Sequence, residues 1–424
     1  MCIHTQKLPL PIRLIRQLST VDCLPLTKYN LINMINKNYA KLEENYLFTE
    51  IARRTSEFIK ANPDKPIIKL GIGDVTRPLA PMIADAVINA MEELKHAETF
   101  RGYGPELGYK FAREAVQRYY KNYNINLDLD EITIGDGIGE DIANITDIFE
   151  KGSCTVLLPD PVYPLYKATS LMDGQKIIYL ECNEANNFLP APPDFPSDLI
   201  YLCSPNNPTG AALSRSQMQA WVDYANRHNA VILYDNAYER FITDADCPHS
   251  IFSIPEARTC AIEFNSLSKT AGFTCVRSGY TVVPKDLIRD GVSLLRLWQQ
   301  RQTTKYNGAP SMTQRGLEAA LSPEGLAEAD KNIQYYKRNV KLITDVLEAK
   351  GIFYTGGHNS PYIWLKCPNG MSSWEFFDYL LNNVYVVGTP GVGFGEYGEG
   401  YFRLTTFNTY ENTAEAMRRI NELL

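Results

Sequence analysis

From residue 39 onward, hydrophobic patterns typical of helices and of strands alternate along the chain. Helical spacing of apolar positions predicts helices over 83–94 and 110–120. Short apolar runs predict buried strands at 131–134, 155–158, 176–180, 198–202, 231–234, 261–264 and 279–283. Because strands that alternate with helices usually lie parallel, the pattern indicates an α/β protein whose large domain has a mostly parallel seven-stranded sheet.

The pattern changes after Pro310. A long polar helix pattern runs from Leu326 to Lys350, and shorter segments follow at 361–365, 374–381 and 401–404. These elements predict a smaller α+β domain. We therefore expect an N-terminal arm or extension over 1–37, a small domain over 38–75 and 316–424, and a large cofactor-binding domain over 76–315.

The first 33 residues are basic and contain no acidic residue before Asp22. Such a segment is compatible with a short targeting peptide. The simpler interpretations are a flexible arm, or a start placed too early with Met34 as the true beginning. No apolar run approaches the roughly 20 residues needed to cross a bilayer, so we expect no association with a membrane.

Composition and charge narrow the chemistry. With 424 residues, of which 45% are hydrophobic and 21% charged, the chain is long enough for a core that secludes a cofactor. The net charge of −7 and the lack of a dense Lys/Arg run argue against nucleic acid as a partner and favour small-molecule chemistry. The nine cysteines form no Cys-x-x-Cys pair, so we expect reduced thiols, a cytoplasmic location and no metal site.

One lysine lies between two hydroxyl residues, directly after a predicted strand. A lysine attacks a carbonyl only when its amine is partly neutral, and a dry pocket or a nearby cation lowers its pKa enough for that. The sequence around Lys269 also offers Ser266, Ser268 and Arg277, which could hold a phosphate. Together they predict pyridoxal 5′-phosphate (PLP), bound covalently through Lys269. For this loop alone, a solvated turn is the alternative.

Two turns that follow predicted strands carry candidate cofactor contacts. In 135–142 a glycine-containing turn opens a helix, so that the backbone around Gly139 and Glu140 could face a phosphate. In 160–164 two prolines stiffen a turn that presents Tyr163, whose ring could stack on a pyridine ring. A connection without a ligand and a tyrosine packed in the core are the respective alternatives.

Two further strand ends carry polar side chains. Asn207 lies in the proline-rich turn 204–210, and its amide could donate a hydrogen bond to the phenolic oxygen of the cofactor. Asp235 follows a strand too apolar to be exposed, and a buried carboxylate needs a partner such as a protonated pyridine nitrogen. Tyr238 could share the phenolic oxygen with Asn207. For Asp235 alone, a helix N-cap is the alternative.

In their order along the chain, these segments resemble those of fold-type I PLP-dependent enzymes, specifically the class I and II aminotransferases. Three segments are similar to the LL-diaminopimelate aminotransferase family in particular, namely 101–106 (RGYGPE), 201–210 (YLCSPNNPTG) and 266–274 (SLSKTAGFT). The resemblance extends from about Asn38 to the C-terminus. It implies the fold-type I architecture, PLP as the cofactor, and a homodimer whose active sites are shared between subunits.

The resemblance implies a role for each matching residue at the cofactor ring. The implied catalytic residues are Lys269 as the Schiff-base lysine, Asp235 as the partner of the pyridinium, and Tyr238 at the phenolic oxygen. Asn207 would contact the same oxygen, and Tyr163 would stack on the ring.

The resemblance also implies residues at the phosphate and at the substrate. Ser266, Ser268 and Arg277 would hold the phosphate, with Tyr103 reaching it from the second subunit. Arg403 would bind the substrate α-carboxylate through a bidentate pair. The further implied substrate contacts are Tyr46, Gly73, Glu106, Tyr163, Asn207 and Asn307.

The sequence departs from the family pattern at three positions. Glu140 stands where the family has a lysine close to phosphate and substrate, Arg77 stands where it has a glutamate, and Cys275 replaces a glycine. Two unit charges about 4 Å apart interact by roughly 4 kcal/mol at an effective dielectric of 20, so Glu140 would repel a distal carboxylate if it faced the pocket. Either Glu140 and Arg77 compensate each other and the function is kept, or the chain is a paralogue with a basic or neutral amino donor.

The implied reaction moves an amino group between LL-2,6-diaminopimelate and 2-oxoglutarate, with tetrahydrodipicolinate and glutamate as the other pair, in lysine and peptidoglycan precursor synthesis. A PLP-dependent lyase or decarboxylase would share the same cofactor residues, since the reaction depends on which Cα bond stands perpendicular to the ring. A non-catalytic regulator or scaffold with this fold is disfavoured, because Lys269 and Arg403 are both present and no DNA-binding extension is visible.

Overall fold

The computed structural model describes residues 35–42 and 47–424. The chain divides into the compact units Met1–Lys37 and Asn38–Leu424, and every α-helix and strand of the described residues lies in the second unit. The predictions for residues 1–34, which include the arm, the targeting peptide and the start at Met34, lie outside the described residues. No helix in the described ranges is long and apolar enough to cross a membrane.

Helices and strands alternate through most of the second unit. The α-helices are α1 (Leu47–Ala61), α2 (Pro81–Glu93), α3 (Lys110–Lys121), α4 (Ile138–Asn144), α5 (Pro164–Met172), α6 (Arg215–His228), α7 (Leu267–Thr270), α8 (Leu294–Lys305), α9 (Ser311–Ala320), α10 (Pro323–Ala349), α11 (Ser373–Val384) and α12 (Tyr410–Leu423). The strands are β1 (Ile68–Lys69), β2 (Ile132–Gly135), β3 (Thr155–Asp160), β4 (Lys176–Glu181), β5 (Leu199–Cys203), β6 (Val231–Asp235), β7 (Ala261–Ser266), β8 (Gly279–Val282), β9 (Ile288–Arg289), β10 (Val292–Ser293), β11 (Tyr354–Gly356), β12 (Tyr362–Lys366), β13 (Val386–Val387), β14 (Thr389–Pro390) and β15 (Tyr401–Thr405).

The strands predicted from the apolar runs form a single sheet. Its seven strands have the order β2-β8-β7-β6-β5-β3-β4. Strands β3 to β7 pair in parallel, and β8 is antiparallel to both of its neighbours, β2 and β7. The prediction of an α/β protein with a mostly parallel seven-stranded sheet is therefore confirmed.

The central strands β5 and β6 are apolar up to the polar end of β6 because helices cover both faces of the sheet. Every residue of β5 and β6 is buried. Successive side chains enter two different apolar clusters, with Leu202 and Tyr234 on one face and Tyr201 and Leu233 on the other. Parallel strands covered on both faces read as continuous apolar runs, and this is the signal that made them recognisable in the sequence.

A second, four-stranded sheet has the order β11-β12-β15-β14 and is antiparallel. Its apolar face shares a cluster with α1, α10, α11 and α12, as Leu365 and Phe402, which lie opposite each other in the register, illustrate. Helix α10 begins where Ser322 Oγ accepts the Gly325 N–H at 3.0 Å, with Pro323 at its first position. The division of 38–424 at residues 75/76 and 315/316 stays a prediction.

Three neighbouring parallel strands end at one edge of the large sheet. β5, β6 and β7 end at Cys203, Asp235 and Ser266, and Cys203 lies directly opposite Asp235 in the register. Open α/β sheets bind ligands at the carboxyl ends of their strands. The polar residues that follow these strands are thus brought to the place where a site is expected.

Candidate active site

A cavity of about 410 Å³ opens at this edge of the sheet. Its wall combines strand ends of the large sheet with the loop after β1 and with β12 and β15 of the smaller sheet. The predicted site residues that line it are Gly73, Gly139, Tyr163, Asn207, Asp235, Tyr238, Ser266, Ser268, Lys269, Arg277 and Arg403. Segments far apart in the chain meet here, since Arg403 on the wall hydrogen-bonds to Gly71, 332 positions away.

Lys269 lies on the short helix α7 directly after β7. Ser266 caps this helix, because its Oγ accepts the Ser268 N–H at 3.1 Å. Burial lowers the pKa of Lys269 to about 8, and the nearby Arg403 and Arg277 lower it in the same direction while Asp74 opposes them. The ammonium donates to the Gly73 carbonyl. The pKa of the lysine is thus low enough for a partly neutral amine near neutral pH, as a nucleophile requires.

Asp235 ends β6 and is buried. Its Oδ2 accepts the Tyr166 hydroxyl at 2.5 Å, and its Oδ1 accepts the Ala237 N–H at 3.0 Å. Burial raises the pKa of this carboxyl to about 6, although both donors act against the shift. The short 3₁₀ turn at 239–241 is preceded by Tyr238 as its N-cap residue, so Asp235 is not the helix N-cap that was the alternative.

The Arg277 guanidinium lies between α7 and the start of α4. Arg277 has left-handed backbone dihedral angles, with φ of 64°, and its Nη1 contacts Ser268 Oγ at 3.4 Å. Gly137 has φ of 131°, and a Cβ there would collide with the Arg277 guanidinium. A guanidinium held this closely against backbone, beside Ser266 and Ser268, suits a phosphate group.

Arg403 on β15 is only 1% exposed. Its Nη1 donates to Asn207 Oδ1 at 2.5 Å and its Nη2 donates to the Gly71 carbonyl at 2.6 Å. Because arginine only donates, the Asn207 oxygen must face Arg403 and the Asn207 NH₂ group must point away from it. The amide is thereby fixed in one orientation, with its donor available to another partner in the cavity.

Two tyrosines complete the predicted wall. Tyr238 is buried, and its hydroxyl lies 2.9 Å from the hydroxyl of Tyr362. Tyr163 is the residue immediately before α5, and its ring meets Tyr166 edge to face with centroids 5.8 Å apart. Both rings are held by neighbours and both reach the cavity. Their predicted roles at the cofactor stay predictions.

Four of the predicted substrate and cofactor contacts, Tyr103, Glu106, Glu140 and Asn307, do not line this cavity, and a fifth is not described. Tyr103 is 93% exposed, and Glu106 and Asn307 are also exposed. The two segments that carry them lie close together, since an added Cβ at Gly308 would lie 2.8 Å from the Pro105 carbonyl oxygen. Tyr46 lies outside the described residues.

The two reversed charges have separate environments. Glu140 is exposed and lies outside the cavity wall, and a hydrogen bond with Asp136 raises the pKa of its carboxyl, with Arg277 and Arg301 opposing. The Arg77 guanidinium lies 4.7 Å from the centre of the Tyr335 ring and donates to Asn332 at 3.2 Å. No ion pair joins Arg77 and Glu140 in the described part of the chain, so they do not compensate each other by direct contact.

Several wall residues were not predicted from the sequence. They include Asp74, Tyr166, Cys203 and Tyr362. For Tyr166 the sequence did contain a signal, because a buried Asp235 needs a hydrogen-bond donor and Tyr166 closely follows the stiff turn at 160–164. For Tyr362 the sequence contained no such signal, because an aromatic residue in an apolar strand is expected to pack in the core. Among the described residues, no group of three His, Cys, Asp or Glu side chains is placed to hold a metal ion.

Known proteins resemble the chain over nearly its whole length. The family model for aminotransferases of class I and II matches residues 65–420. LL-diaminopimelate aminotransferases of Lachnospira eligens and Agathobacter rectalis are 49% and 50% identical over 402 residues, which cover 92% of this chain and 99% of each relative. The solved structure of L,L-diaminopimelate aminotransferase from Chlamydomonas reinhardtii, 41% identical, matches with a TM-score of 0.87 over 93% of this chain and 99% of that one.

Proposed function

The chain belongs to the LL-diaminopimelate aminotransferases of class I and II, and from this premise we propose that it transfers an amino group between LL-2,6-diaminopimelate and 2-oxoglutarate. The resemblance noted in the sequence is thereby confirmed, and the protein is an aminotransferase. The observation that carries the proposal is the meeting of Lys269, Asp235 and Arg403 in one cavity. In the direction of biosynthesis, tetrahydrodipicolinate and glutamate would yield LL-diaminopimelate, a precursor of lysine and peptidoglycan.

PLP fits the residues of this cavity. The buried Asp235 carboxyl, whose pKa is raised to about 6, would be stabilised as an anion by a protonated pyridine nitrogen. Ser266, Ser268 and Arg277 would hold the phosphate, and Tyr238 with the Asn207 amide would hold the phenolic oxygen. When bound, the cofactor supplies the carbonyl that captures the amino group and the ring that withdraws electrons from the donor Cα.

The side chains of the cavity would then orient the donor and move its proton. Arg403, fixed by Asn207 and Gly71, would bind the α-carboxylate and so set the direction in which the Cα–H bond points. Lys269, with a pKa of about 8, would take the proton from the donor Cα and deliver it to C4′ of the cofactor. Because Arg403 would hold the α-carboxylate firmly, the site favours removal of the Cα proton over loss of the carboxylate.

A homodimer would complete the site. Tyr103 is almost fully exposed and Phe100 is 66% exposed on the same segment, so this part of the chain presents aromatic surface to a partner. Tyr103, Glu106 and Asn307 are exposed on two neighbouring segments and do not line the cavity of their own subunit, which supports their reaching the cavity of the second subunit. Tyr103 would contact the phosphate there, and Glu106 and Asn307 would contact the distal end of the substrate.

A second candidate is an aminotransferase with a different amino donor. The observation that favours it is the charge around the cavity, because Asp74 lies on the wall and Glu140 hydrogen-bonds with Asp136 just outside it. These carboxyl groups suit a donor with a distal ammonium and oppose one with an isolated distal carboxylate. LL-diaminopimelate carries both groups, and a basic amino acid carries the ammonium alone.

The thiols support a reducing compartment. The cysteines in the described ranges, Cys154, Cys182, Cys203, Cys247, Cys260, Cys275 and Cys367, are all free. Disulfides are rare where glutathione and thioredoxin keep thiols reduced, so we place the enzyme in the cytoplasm.

A half-reaction screen tests the proposed function. The PLP-loaded protein would be mixed separately with LL-diaminopimelate, glutamate, lysine, ornithine and alanine, without a keto acid, while its absorbance is recorded. We expect LL-diaminopimelate and glutamate to convert the cofactor to its amine form and to release one equivalent of keto acid. Conversion by lysine or ornithine alone would support the second candidate. A cofactor absorbance that no donor converts would contradict transamination.

A further inference from the structure

Tyr362 touches the residues expected to meet both the cofactor and the substrate. It is fully buried on β12 and lines the cavity. Its hydroxyl lies 2.9 Å from the Tyr238 hydroxyl, and the guanidinium carbon of Arg403 lies 4.4 Å from the centre of its ring. One side chain therefore connects the residue proposed for the phenolic oxygen with the residue proposed for the α-carboxylate.

The same hydroxyl also packs against the loop that holds Lys269. A Cβ at Gly73 would collide with Tyr362 Oη, and the Gly73 carbonyl accepts the Lys269 ammonium. Glycine at position 73 thus lets the loop approach the tyrosine closely enough to reach the lysine. Tyr362 supports three parts of the site without being placed to react itself.

We propose that Tyr362 is a positioning residue of the active site, whose hydroxyl directs the Tyr238 proton toward the cofactor and whose ring supports the Arg403 guanidinium. This inference rests on the proposed function, because it assumes PLP at Tyr238 and a carboxylate at Arg403. It assigns to Tyr362 two separable duties, one carried by the hydroxyl and one by the ring.

The direction of the shared hydrogen bond follows from counting protons. Each tyrosine hydroxyl has one proton to donate. If Tyr238 gives its proton to the phenolic oxygen of the cofactor, the bond between the two tyrosines must use the proton of Tyr362. A hydroxyl that accepts one hydrogen bond becomes a stronger donor in the next, so Tyr362 strengthens the contact of Tyr238 with the cofactor.

Both hydroxyls keep their protons near neutral pH. Burial raises the pKa of Tyr238 and of Tyr362. The charged and titratable groups that face Tyr362 are Arg403 and Tyr238, which favour its ionisation, and Cys203 and Asp235, which oppose it. The pair therefore acts as a donor chain and not as a buried anion.

The ring contact explains how an almost fully buried arginine is held in place. Arg403 lies between the faces of Tyr362 and Phe394, with its guanidinium carbon 4.4 and 4.8 Å from the two ring centres. Cation–π contacts of this kind orient the guanidinium plane while leaving its N–H groups for hydrogen bonds. Loss of the ring should therefore loosen carboxylate binding, whereas loss of the hydroxyl should not.

The test compares Tyr362→Phe with Tyr362→Leu in the PLP-loaded enzyme. Tyr224→Phe is the matched control, since Tyr224 is equally buried, its hydroxyl donates to the Phe195 carbonyl at 2.7 Å, and it does not line the cavity. In Tyr362→Phe a weaker Tyr238 donor leaves more charge on the phenolic oxygen. We expect the pH midpoint of the cofactor absorbance to rise by about half a unit, and KM for the donor to stay within about twofold of the original value.

In Tyr362→Leu we expect the same rise in the midpoint and, in addition, a roughly tenfold higher KM for every donor. A double substitution separates a local role from a general one, because Tyr362→Phe should shift nothing further once Tyr238→Phe is present. An unshifted titration in Tyr362→Phe, or an equal shift in Tyr224→Phe, would overturn the role of Tyr362. A parent protein that shows no cofactor absorbance would instead overturn the proposed function.

Discussion

The Tyr166 hydroxyl donates to Asp235 Oδ2 across 2.5 Å, from the helix that follows the stiff turn at 160–164. This neutral donor and the Ala237 N–H are the hydrogen bonds to the buried carboxyl, and they do not outweigh its burial, which raises its pKa to about 6. Without a cation beside it, Asp235 is therefore easier to bury as the acid than as the anion. A cation beside Asp235 would therefore stabilise its anion. The raised pKa of Asp235 can be measured in the protein without cofactor.

We predict that Asp235 makes the cofactor-free protein less stable as pH rises. The pKa is 3.8 for the ordinary group and about 6 in the fold, so the folded state binds the proton more tightly and its advantage is lost between these values. Relative to Asp235→Asn, the free energy of unfolding should fall by roughly 2 to 3 kcal/mol between pH 4 and pH 7. Urea unfolding of both proteins at several pH values measures this difference.

Other buried carboxyls titrate in both proteins and cancel from the comparison. With PLP bound, the pyridinium should abolish the loss or reverse it, because it favours the Asp235 anion. Parallel stability curves for the two cofactor-free proteins would show that folding does not raise the pKa of Asp235.

We predict that Lys269→Ala abolishes both the covalent attachment of PLP and turnover. Lys269 is the nucleophile and the proton carrier in the proposed mechanism, so kcat should fall by about a thousandfold or more. Reduction with borohydride followed by peptide mass spectrometry should locate the cofactor on residue 269 of the parent enzyme. Lys285→Ala is a suitable control, since Lys285 pairs with Asp128 on the surface. A cofactor spectrum unchanged by Lys269→Ala would rule out the attachment.

The sequence was sufficient for the parts of this molecule that repeat a simple pattern. Six of the seven strands were predictable because each is a run buried along nearly its whole length, whereas the edge strand β4 has exposed and half-buried positions. Asp235 and Lys269 stood out because each lies at or just after the end of a buried run. The antiparallel direction of β8 was not predictable, since an apolar run has no direction.

Contacts between distant side chains were beyond the sequence as well. Lys269 reaches the Gly73 carbonyl over 196 positions, and Tyr238 meets Tyr362 over 124 positions. Nothing local distinguishes Tyr362 from the apolar residues beside it in β12. Its importance depends on where the second sheet places it, and that placement is a property of the packed chain.

We predict that Asp74 selects donors with a distal ammonium. Among the charged side chains on the described cavity wall, Asp235, Lys269, Arg277 and Arg403 have proposed roles at the cofactor or the α-carboxylate, which leaves Asp74 to face the rest of the donor. Asp74→Asn should lower kcat/KM for LL-diaminopimelate by about tenfold and leave KM for alanine nearly unchanged.

The same substitution should shift the pH dependence of kcat in the same direction for every donor. Asp74 raises the pKa of Lys269, so Asp74→Asn should lower that pKa. The rise in kcat that accompanies deprotonation of Lys269 should then occur at lower pH. Asp345→Asn, which removes a surface partner of Lys341, serves as the control. Equal losses for LL-diaminopimelate and alanine would mean that Asp74 acts on Lys269 alone.

We predict that Glu140→Lys raises kcat/KM for LL-diaminopimelate. Glu140 lies outside the cavity wall but directly follows Gly139, which is part of it, and no contact with Arg77 neutralises its charge. The substitution replaces a repulsion of the distal carboxylate by an attraction. Because the side chain at position 140 is exposed and its charge is screened, the change should lower the activation free energy by about 1 kcal/mol, which is roughly fivefold in kcat/KM.

Two comparisons decide what the charge at position 140 does. Glu140→Gln removes the charge without reversing it and should give about half of the gain in free energy, and alanine, which has no distal carboxylate, should respond to neither variant. The gain should also shrink in high salt, because an exposed charge is screened within a Debye length. A loss of LL-diaminopimelate turnover in both variants would mean that Glu140 contacts the donor, and the carboxyl at this position would then belong to a specificity for a distal ammonium.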